Sequence, residues 1–352
     1  MARIAIAGAG LLGRLLAWRL GHAGHEVEVF DPADGPLPRY DGHGAAAFSA
    51  AGMLSPTAEL DRADAHLATL GWRSIALWRG IVDALEEPTL LTERGSLLLA
   101  HRGDRTMAER MLQRLSASAR PPRALDADAL TSLEPALAGA AHAWLLPGEA
   151  QIDPPATLAR LHDGASASVR WHWRSPVDRL DAHTVDAASA AGRYDRVFDV
   201  RGLGAREKHG PMRELRGVRG ETVWLHLPGH GLTRPVRLLH PRHAVYLLPR
   251  GQHRLFVGAS EIESEDRSPV SLRSAVELMA AAHSVMPALA EARIERLDRQ
   301  LRPALPDHRP CIDTSAGTVR INGLFRHGWL VAPALVDDAL AATGLRQESA
   351  HA

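Results

Sequence analysis

The stretch Arg3-Ile4-Ala5-Ile6-Ala7-Gly8-Ala9-Gly10-Leu11-Leu12-Gly13 decides the fold. Its opening is apolar and reads as a short buried strand, and Arg14 to Leu20 carry apolar residues at helical spacing. A second alternation, Val27-Glu28-Val29-Phe30, ends on Asp31, eighteen positions after Gly13. Strand, glycine turn, helix, strand and acid, in that order, are what a dinucleotide site requires. Gly8 permits the tight turn, Gly10 lets backbone approach a pyrophosphate, and Gly13 lets helix and strand pack closely. The helix N-terminus, with Leu11 and Leu12 in its first turn, offers unpaired N–H groups and partial positive charge to phosphates. Asp31, followed by Pro32, can accept hydrogen bonds from ribose hydroxyls. Taken alone, the motif admits NAD, NADP or FAD, or a turn whose small residues serve packing only.

Beyond Asp31, a loop rich in Pro, Gly and Asp runs from Pro32 to Gly44. The segment Ala45 to Leu54 is unusually small and apolar. It reads either as a helix start where a flat ligand or diphosphate lies against backbone, or as an alanine-rich helix packed in a core. Ala63 to Glu86 is a long amphipathic helix, and Leu90 to Ala100, broken at Gly95, a strand pair. Val169 to Trp173, Val177 to Leu180 and Thr184 to Asp186 read as consecutive strands. Arg193 to Val200 is another, flowing into the glycine turn Arg201-Gly202-Leu203-Gly204. Gly220 to Leu227, Val236 to Leu239, Ala244 to Pro249 and His253 to Ala259 are spaced like an antiparallel meander. Ser271 to Met286 is helical, and a last helix follows Pro333.

Composition narrows the function classes. At 352 residues the chain can hold a large core and two domains. Its formal net charge is zero, so neither nucleic acid nor an anionic membrane is favoured as partner. The nineteen His are scattered without metal-ligand spacing, and no metal is expected. The single Cys, Cys311, excludes an intrachain disulfide and suits a reducing cytoplasm. No apolar run is long enough to span a membrane.

Several stretches in order resemble one family: Gly8 to Gly13, Ser49 to Leu54, Val218 to Glu221, Tyr246 to Arg250, Val257 to Glu261, Leu301 to Ala304 with Pro306-Asp307, and Phe325 to Pro333. Together they resemble the FAD-dependent D-amino-acid oxidase superfamily and, within it, the glycine oxidases of thiamine biosynthesis. The resemblance implies an α/β chain with a Rossmann-like FAD-binding domain and a second, α+β substrate domain on a mainly antiparallel sheet. The first would comprise residues 1–86, 144–215 and 300–352, the second 87–143 and 216–299. It implies non-covalent FAD, because Pro310-Cys311-Ile312 does not resemble the segment to which some relatives attach flavin.

By position, the resemblance lays Ala46, Ala47, Ala51, Gly52 and Met53 against the FAD phosphates and flavin, and Val177 against the adenine. Leu324, Phe325, Arg326, His327, Gly328, Trp329 and Leu330 match the loop beneath the flavin pyrimidine. Gly202 lies in a second place of close backbone approach. Arg302 matches the family's carboxylate-binding arginine and Tyr246 the tyrosine facing the substrate. Arg326 matches a residue whose backbone carbonyl approaches the substrate amine, with a side chain free to pair structurally. His327 stands where Asn is frequent, and Phe48 replaces a small polar residue. The implied activity is oxidative deamination of glycine with dioxygen, giving glyoxylate, ammonia and hydrogen peroxide for the thiamine thiazole pathway. Alternatives are a flavin amine oxidase acting on sarcosine, D-amino acids or N-substituted glycines, an NAD-dependent dehydrogenase, and a non-catalytic FAD-binding protein. A homo-oligomer and a link to thiazole synthase are further family expectations.

Overall fold

The computed structural model describes every residue except 63, 64, 139, 166, 188, 189, 209, 211, 240–244, 316 and 347–352. The opening strand Arg3–Ala7 is paired in parallel on both sides, with Glu26–Phe30 and with Arg196–Asp199. Ile4 to Ala7 are wholly buried, as an interior parallel strand demands. The sheet extends through Val169–His172 on one side and Val319–Asn322 on the other, with Cys311–Asp313 as an antiparallel edge. Leu12, Leu15, Leu16 and Leu20 of the helix Leu11–His22 join the core on this sheet.

The last helix, Gly328–Ala342, is buried on nearly every side and packs against both Leu11–His22 and the long helix Ala65–Ala84. It runs through Pro333 rather than starting after it. Proline has no N–H for the carbonyl four residues back. That carbonyl, of Trp329, instead accepts from Trp78 Nε1 at 2.9 Å, so a neighbouring helix supplies the missing donor.

The second sheet has eight strands, ordered Arg293–Ala304, Arg216–His226, Arg254–Gly258, Val245–Arg250, Val236–Leu238, Ser96–Ala100, His142–Leu146 and Arg123–Leu125. All neighbours are antiparallel except Val236–Leu238 with Ser96–Ala100. The fold is therefore α/β, a Rossmann-like layer joined to an α+β unit on a mainly antiparallel sheet.

Three local expectations are corrected. The strands from residue 216 to 258 do not form a simple meander. Arg216–His226 pairs with Arg254–Gly258, leaving its other edge to the twelve-residue strand Arg293–Ala304. Residues 193–200 are not one strand. Ala190–Arg193 closes a small antiparallel sheet with Val177–Leu180 and Thr184–Ala187, and only Arg196–Asp199 enters the parallel sheet. The alanine-rich segment forms no α-helix but a single 3-10 turn, Ala46–Ser49, and the short strand Met53–Leu54. Gly52 breaks any helix there. Its φ is +67°, and a Cβ on it would lie 2.2 Å from the Ile152 carbonyl oxygen.

Side chains from the eight-stranded sheet fasten the loop between Asp31 and Gly52. Gln300 donates to the Gly44 carbonyl at 2.8 Å, and Arg299 to those of Tyr40 and Asp41 at 2.9 and 2.8 Å. Arg250, half-buried, donates to the Ala51 carbonyl and to Gln151 Oε1. These bonds hold the loop across the space between the sheets.

Candidate active site

A continuous cavity of about 830 Å³ lies between the two sheets. Every residue expected at the site lines it, except Gly13. Gly13 packs beneath the turn: a Cβ there would sit 1.8 Å from the Gly8 carbonyl oxygen. Gly8 itself has φ +106° and lies so close to Val200 that a Cβ would come within 2.7 Å of its carbonyl oxygen.

At the glycine-turn end, Asp31 spends its carboxylate partly on the loop, accepting from Ala9 N at 2.6 Å and Ala33 N at 2.8 Å. Helix Leu11–His22 has no side-chain cap, so its first-turn N–H groups face the cavity where Leu11 and Leu12 line it. Val177 sits at a register shift in its strand pair, and its carbonyl accepts from Arg201 Nη1 at 3.2 Å. Arg201 is itself held by the buried Asp199 at 2.8 Å, and the Gly202 carbonyl accepts from Asn322 Nδ2 at 2.9 Å. Arg14, just behind the turn, donates to the Ala9, Leu158 and Pro36 carbonyls at 2.7–2.9 Å. Burial pushes its pKa down to about 10.

A second helix N-terminus meets the cavity at Gly328, again without a side-chain cap. Trp329 Nε1 donates to the Ala47 carbonyl at 3.1 Å and so ties this end to the small-residue segment. Phe325 adopts φ +49°, a left-handed conformation uncommon for a bulky residue, and stacks on His308 with ring centroids 4.3 Å apart. Cys311 does not line the cavity.

The floor of the remaining end is the eight-stranded sheet. Arg302 faces Val218 and Tyr246 faces Gly258 across neighbouring strands. Two glycines let these side chains lie flat over the adjacent strand. A Cβ on Gly220 would fall 2.3 Å from Arg302 Nη2, and one on Gly258 would fall 2.6 Å from the Tyr246 ring. The Arg302 guanidinium donates to the Ser260 carbonyl at 3.1 Å. Among the described residues it has no carboxylate in ion-pairing contact. Burial lowers its pKa and raises that of the Tyr246 phenol.

Arg326, by contrast, is paired, with Glu59 at 2.9 Å and Glu261 at 3.6 Å. His327 Nδ1 lies 3.3 Å from the same Glu59 oxygen, without hydrogen-bond geometry. Burial pushes His327 down to about 4. Burial alone would raise the Glu59 carboxyl, but His327, Arg326 and Arg237 around it hold it below the ordinary range. Sequence reasoning missed Glu59, Arg237, Arg14 and the spacing roles of Gly220 and Gly258. The two glycines lay in quoted stretches, and their signal was a glycine inside a strand, which marks close approach of another group.

Comparison with known proteins agrees with this geometry. A family model described as FAD dependent oxidoreductase matches residues 3–339. A Rhizobium etli protein carrying the provisional name thiamine biosynthesis oxidoreductase ThiO is 37% identical over 337 residues, covering 96% of this chain and 94% of that protein. Glycine oxidase of Geobacillus kaustophilus is 25% identical over 352 residues, covering 94% and 89%. The crystal structure of glycine oxidase from Bacillus cereus superposes with a TM-score of 0.84 at 20% identity, covering 99% of this chain and 96% of that one, a likeness of fold. The chain therefore belongs to the FAD-dependent oxidoreductases, as an amino-acid oxidase of the glycine oxidase and ThiO type.

Proposed function

We propose that the protein oxidises a small amino acid, glycine first, to an imine that water converts to the oxo acid and ammonia. Glycine, dioxygen and water would give glyoxylate, ammonia and hydrogen peroxide. Arg302 carries this reading: a half-buried guanidinium with no ion-pairing carboxylate among the described residues, beside Tyr246, in a cavity continuous with the glycine turn. FAD, when bound, accepts two electrons from the amine-bearing carbon and passes them to dioxygen.

The cavity suits that cofactor because two uncapped helix N-termini meet it at separate places, matching a ligand with two regions of negative charge. Leu11 and Leu12 would serve the pyrophosphate, Asp31 and Pro32 the ribose, and Val177 the adenine, with Gly202 alongside. Ala46, Ala47, Ala51, Gly52 and Met53 would lie against the phosphates and flavin, and Leu324 to Leu330 beneath the pyrimidine. Cys311, away from the cavity wall, favours non-covalent binding.

Arg302 would grip the substrate carboxylate with its planar fork, each charged bond contributing about 1.5–3 kcal/mol. Tyr246 stays a phenol, because burial raises its pKa, and so can donate to the same carboxylate. With its side chain held by Glu59, Arg326 would offer its backbone carbonyl to the substrate amine. Neither His327 nor Glu59 is a strong proton acceptor near neutral pH, since both pKa values are lowered. The amine would bind unprotonated, and orientation would be the main contribution of these residues.

The similarity to the Rhizobium etli protein supports a place in supplying the thiamine thiazole, with thiazole synthase as a partner. A homo-oligomer acting in the cytoplasm fits this role. No helix among the described residues is long and apolar enough to cross a membrane. The test is anaerobic reduction of the bound flavin, and peroxide release in air, with glycine, sarcosine and D-alanine. Glycine giving the highest kcat/KM supports the proposal. Failure of all three to reduce the flavin overturns it.

A further inference from the structure

Arg237 is a second cavity cation that the reaction above leaves unused. It stands on Val236–Leu238 directly across from Tyr246, so both side chains leave the sheet on the same face, and both line the cavity. Its Nε is buried without a hydrogen-bond partner, and among the described residues no carboxylate ion-pairs with it. Glu149, the other acid nearby, accepts from Ser96 Oγ at 2.5 Å and Ala58 N at 2.9 Å, and burial raises its pKa. Of Arg302, Arg326 and Arg237, Arg326 alone forms an ion pair with a carboxylate among the described residues, while Glu59 and Glu149 act on Arg237 at longer range.

Across the sheet the order is Arg302, Tyr246, Arg237, so an unpaired guanidinium stands on each side of the tyrosine. A guanidinium keeps its charge in a protein, and leaving its N–H groups desolvated without an acceptor is costly. The single carboxylate of glycine can satisfy Arg302 but not both. We infer that Arg237 binds a second carboxylate where a substrate carries one, so that amines bearing two carboxylates are oxidised in preference to their neutral amide counterparts. The second group would be carried either on the nitrogen substituent or on the α-carbon side chain.

For the reaction, this inference rests on the oxidase reading; for binding it does not. With N-(2-carboxyethyl)glycine, the glycyl carbon would lose its hydride and the nitrogen its proton. Water would then cleave the imine, so that dioxygen and water are consumed and β-alanine, glyoxylate and hydrogen peroxide are formed.

The test compares the holoenzyme on size-matched pairs that differ in charge: N-(2-carboxyethyl)glycine against its side-chain amide, and D-aspartate against D-asparagine. A lost charged hydrogen bond corresponds to about 10- to 100-fold. In at least one pair the diacid should exceed its amide by that factor in kcat/KM, and the responding pair tells whether the second carboxylate is reached through nitrogen or carbon. Arg237→Gln should bring the ratio to about one, and Arg237→Lys should keep part of it, which also covers a glutamine variant that fails to fold. Separately, oxydiacetate, which has no amine to oxidise, should perturb the flavin absorbance at lower concentration than methoxyacetate, and only with Arg237 present.

Diacid-to-amide ratios near one in the wild type overturn the inference. So does a ratio unchanged in Arg237→Gln, including one accompanied by loss of flavin. If glycine is oxidised while these ratios are near one, the oxidase reading stands alone. If no amine reduces the flavin but oxydiacetate binds through Arg237, the second carboxylate site stands and the oxidase reading falls.

Discussion

The two ends of the cavity are built from different materials. Around Gly8, Gly10 and Gly13 the wall is backbone, shaped by what side chains leave out. At Arg302, Tyr246 and Arg237 it is side chain, displayed on a sheet whose strands come from distant parts of the sequence. A backbone wall tolerates little change in volume, because a new Cβ meets atoms that cannot turn away. A side-chain wall tolerates volume better and charge worse, because its work lies in a few unpaired polar groups.

The largest effect is expected at the backbone end. Gly13→Val puts a Cβ within 1.8 Å of the Gly8 carbonyl oxygen, so helix and strand must separate. The expected outcome is loss of more than about 3 kcal/mol of stability and purification without flavin, read from urea denaturation and from flavin absorbance per protein. A variant that folds normally with a full complement of flavin would break the contrast.

Next in size, Arg302→Met should lower kcat/KM for glycine by roughly two or more orders of magnitude while flavin stays bound. Measuring both in one preparation separates substrate binding from cofactor binding. Equal loss of both would show that the two ends do not act independently.

A third expectation concerns acid. Burial pushes His327 down to about 4 from the 6.5 of a free side chain. Between those values the unfolded chain binds a proton that the folded chain does not, so stability is full above the upper value and falls as pH drops through the window. By pH 5 the loss is about 2 kcal/mol. Glu59, held below its ordinary value, adds its own loss at still lower pH, as it becomes protonated in the folded state. His327→Asn should flatten the difference between urea unfolding at pH 7 and pH 5.

The smallest effect sharpens the comparison most. Gly220→Ala adds a methyl 2.3 Å from the flexible end of Arg302, which can swing aside. Stability should change by less than about 1 kcal/mol, yet kcat/KM should fall roughly tenfold as the fork loses its aim. Flavin content and steady-state kinetics, taken together, check this.

The same contrast explains what was legible in the sequence. Gly8 to Asp31 could be read because its geometry is local, a few consecutive residues whose spacing states the turn. Arg302 and Tyr246 were reached only through resemblance, since their meeting depends on pairing Arg216–His226 with Arg254–Gly258, a choice that strand spacing does not reveal. Arg237 and Glu59 were silent for a simpler reason: a lone arginine in a short strand and a glutamate in a four-residue helix look like surface residues until the fold encloses them. The helix expected at Ala45 to Leu54 followed alanine propensity, and the left-handed Gly52 overrode it.

Arg250, Arg299 and Gln300, which fasten the loop before Gly52 from the opposite sheet, have a consequence in time rather than in structure. The loop is fastened by strands that follow it by about two hundred residues and more, so it is held in place only once Arg250, Arg299 and Gln300 have been added. A dinucleotide held beneath this loop would leave most readily when those fastenings are undone. Cofactor exchange in this protein should run on the clock of partial unfolding, and one molecule of flavin should last about as long as the chain that took it in.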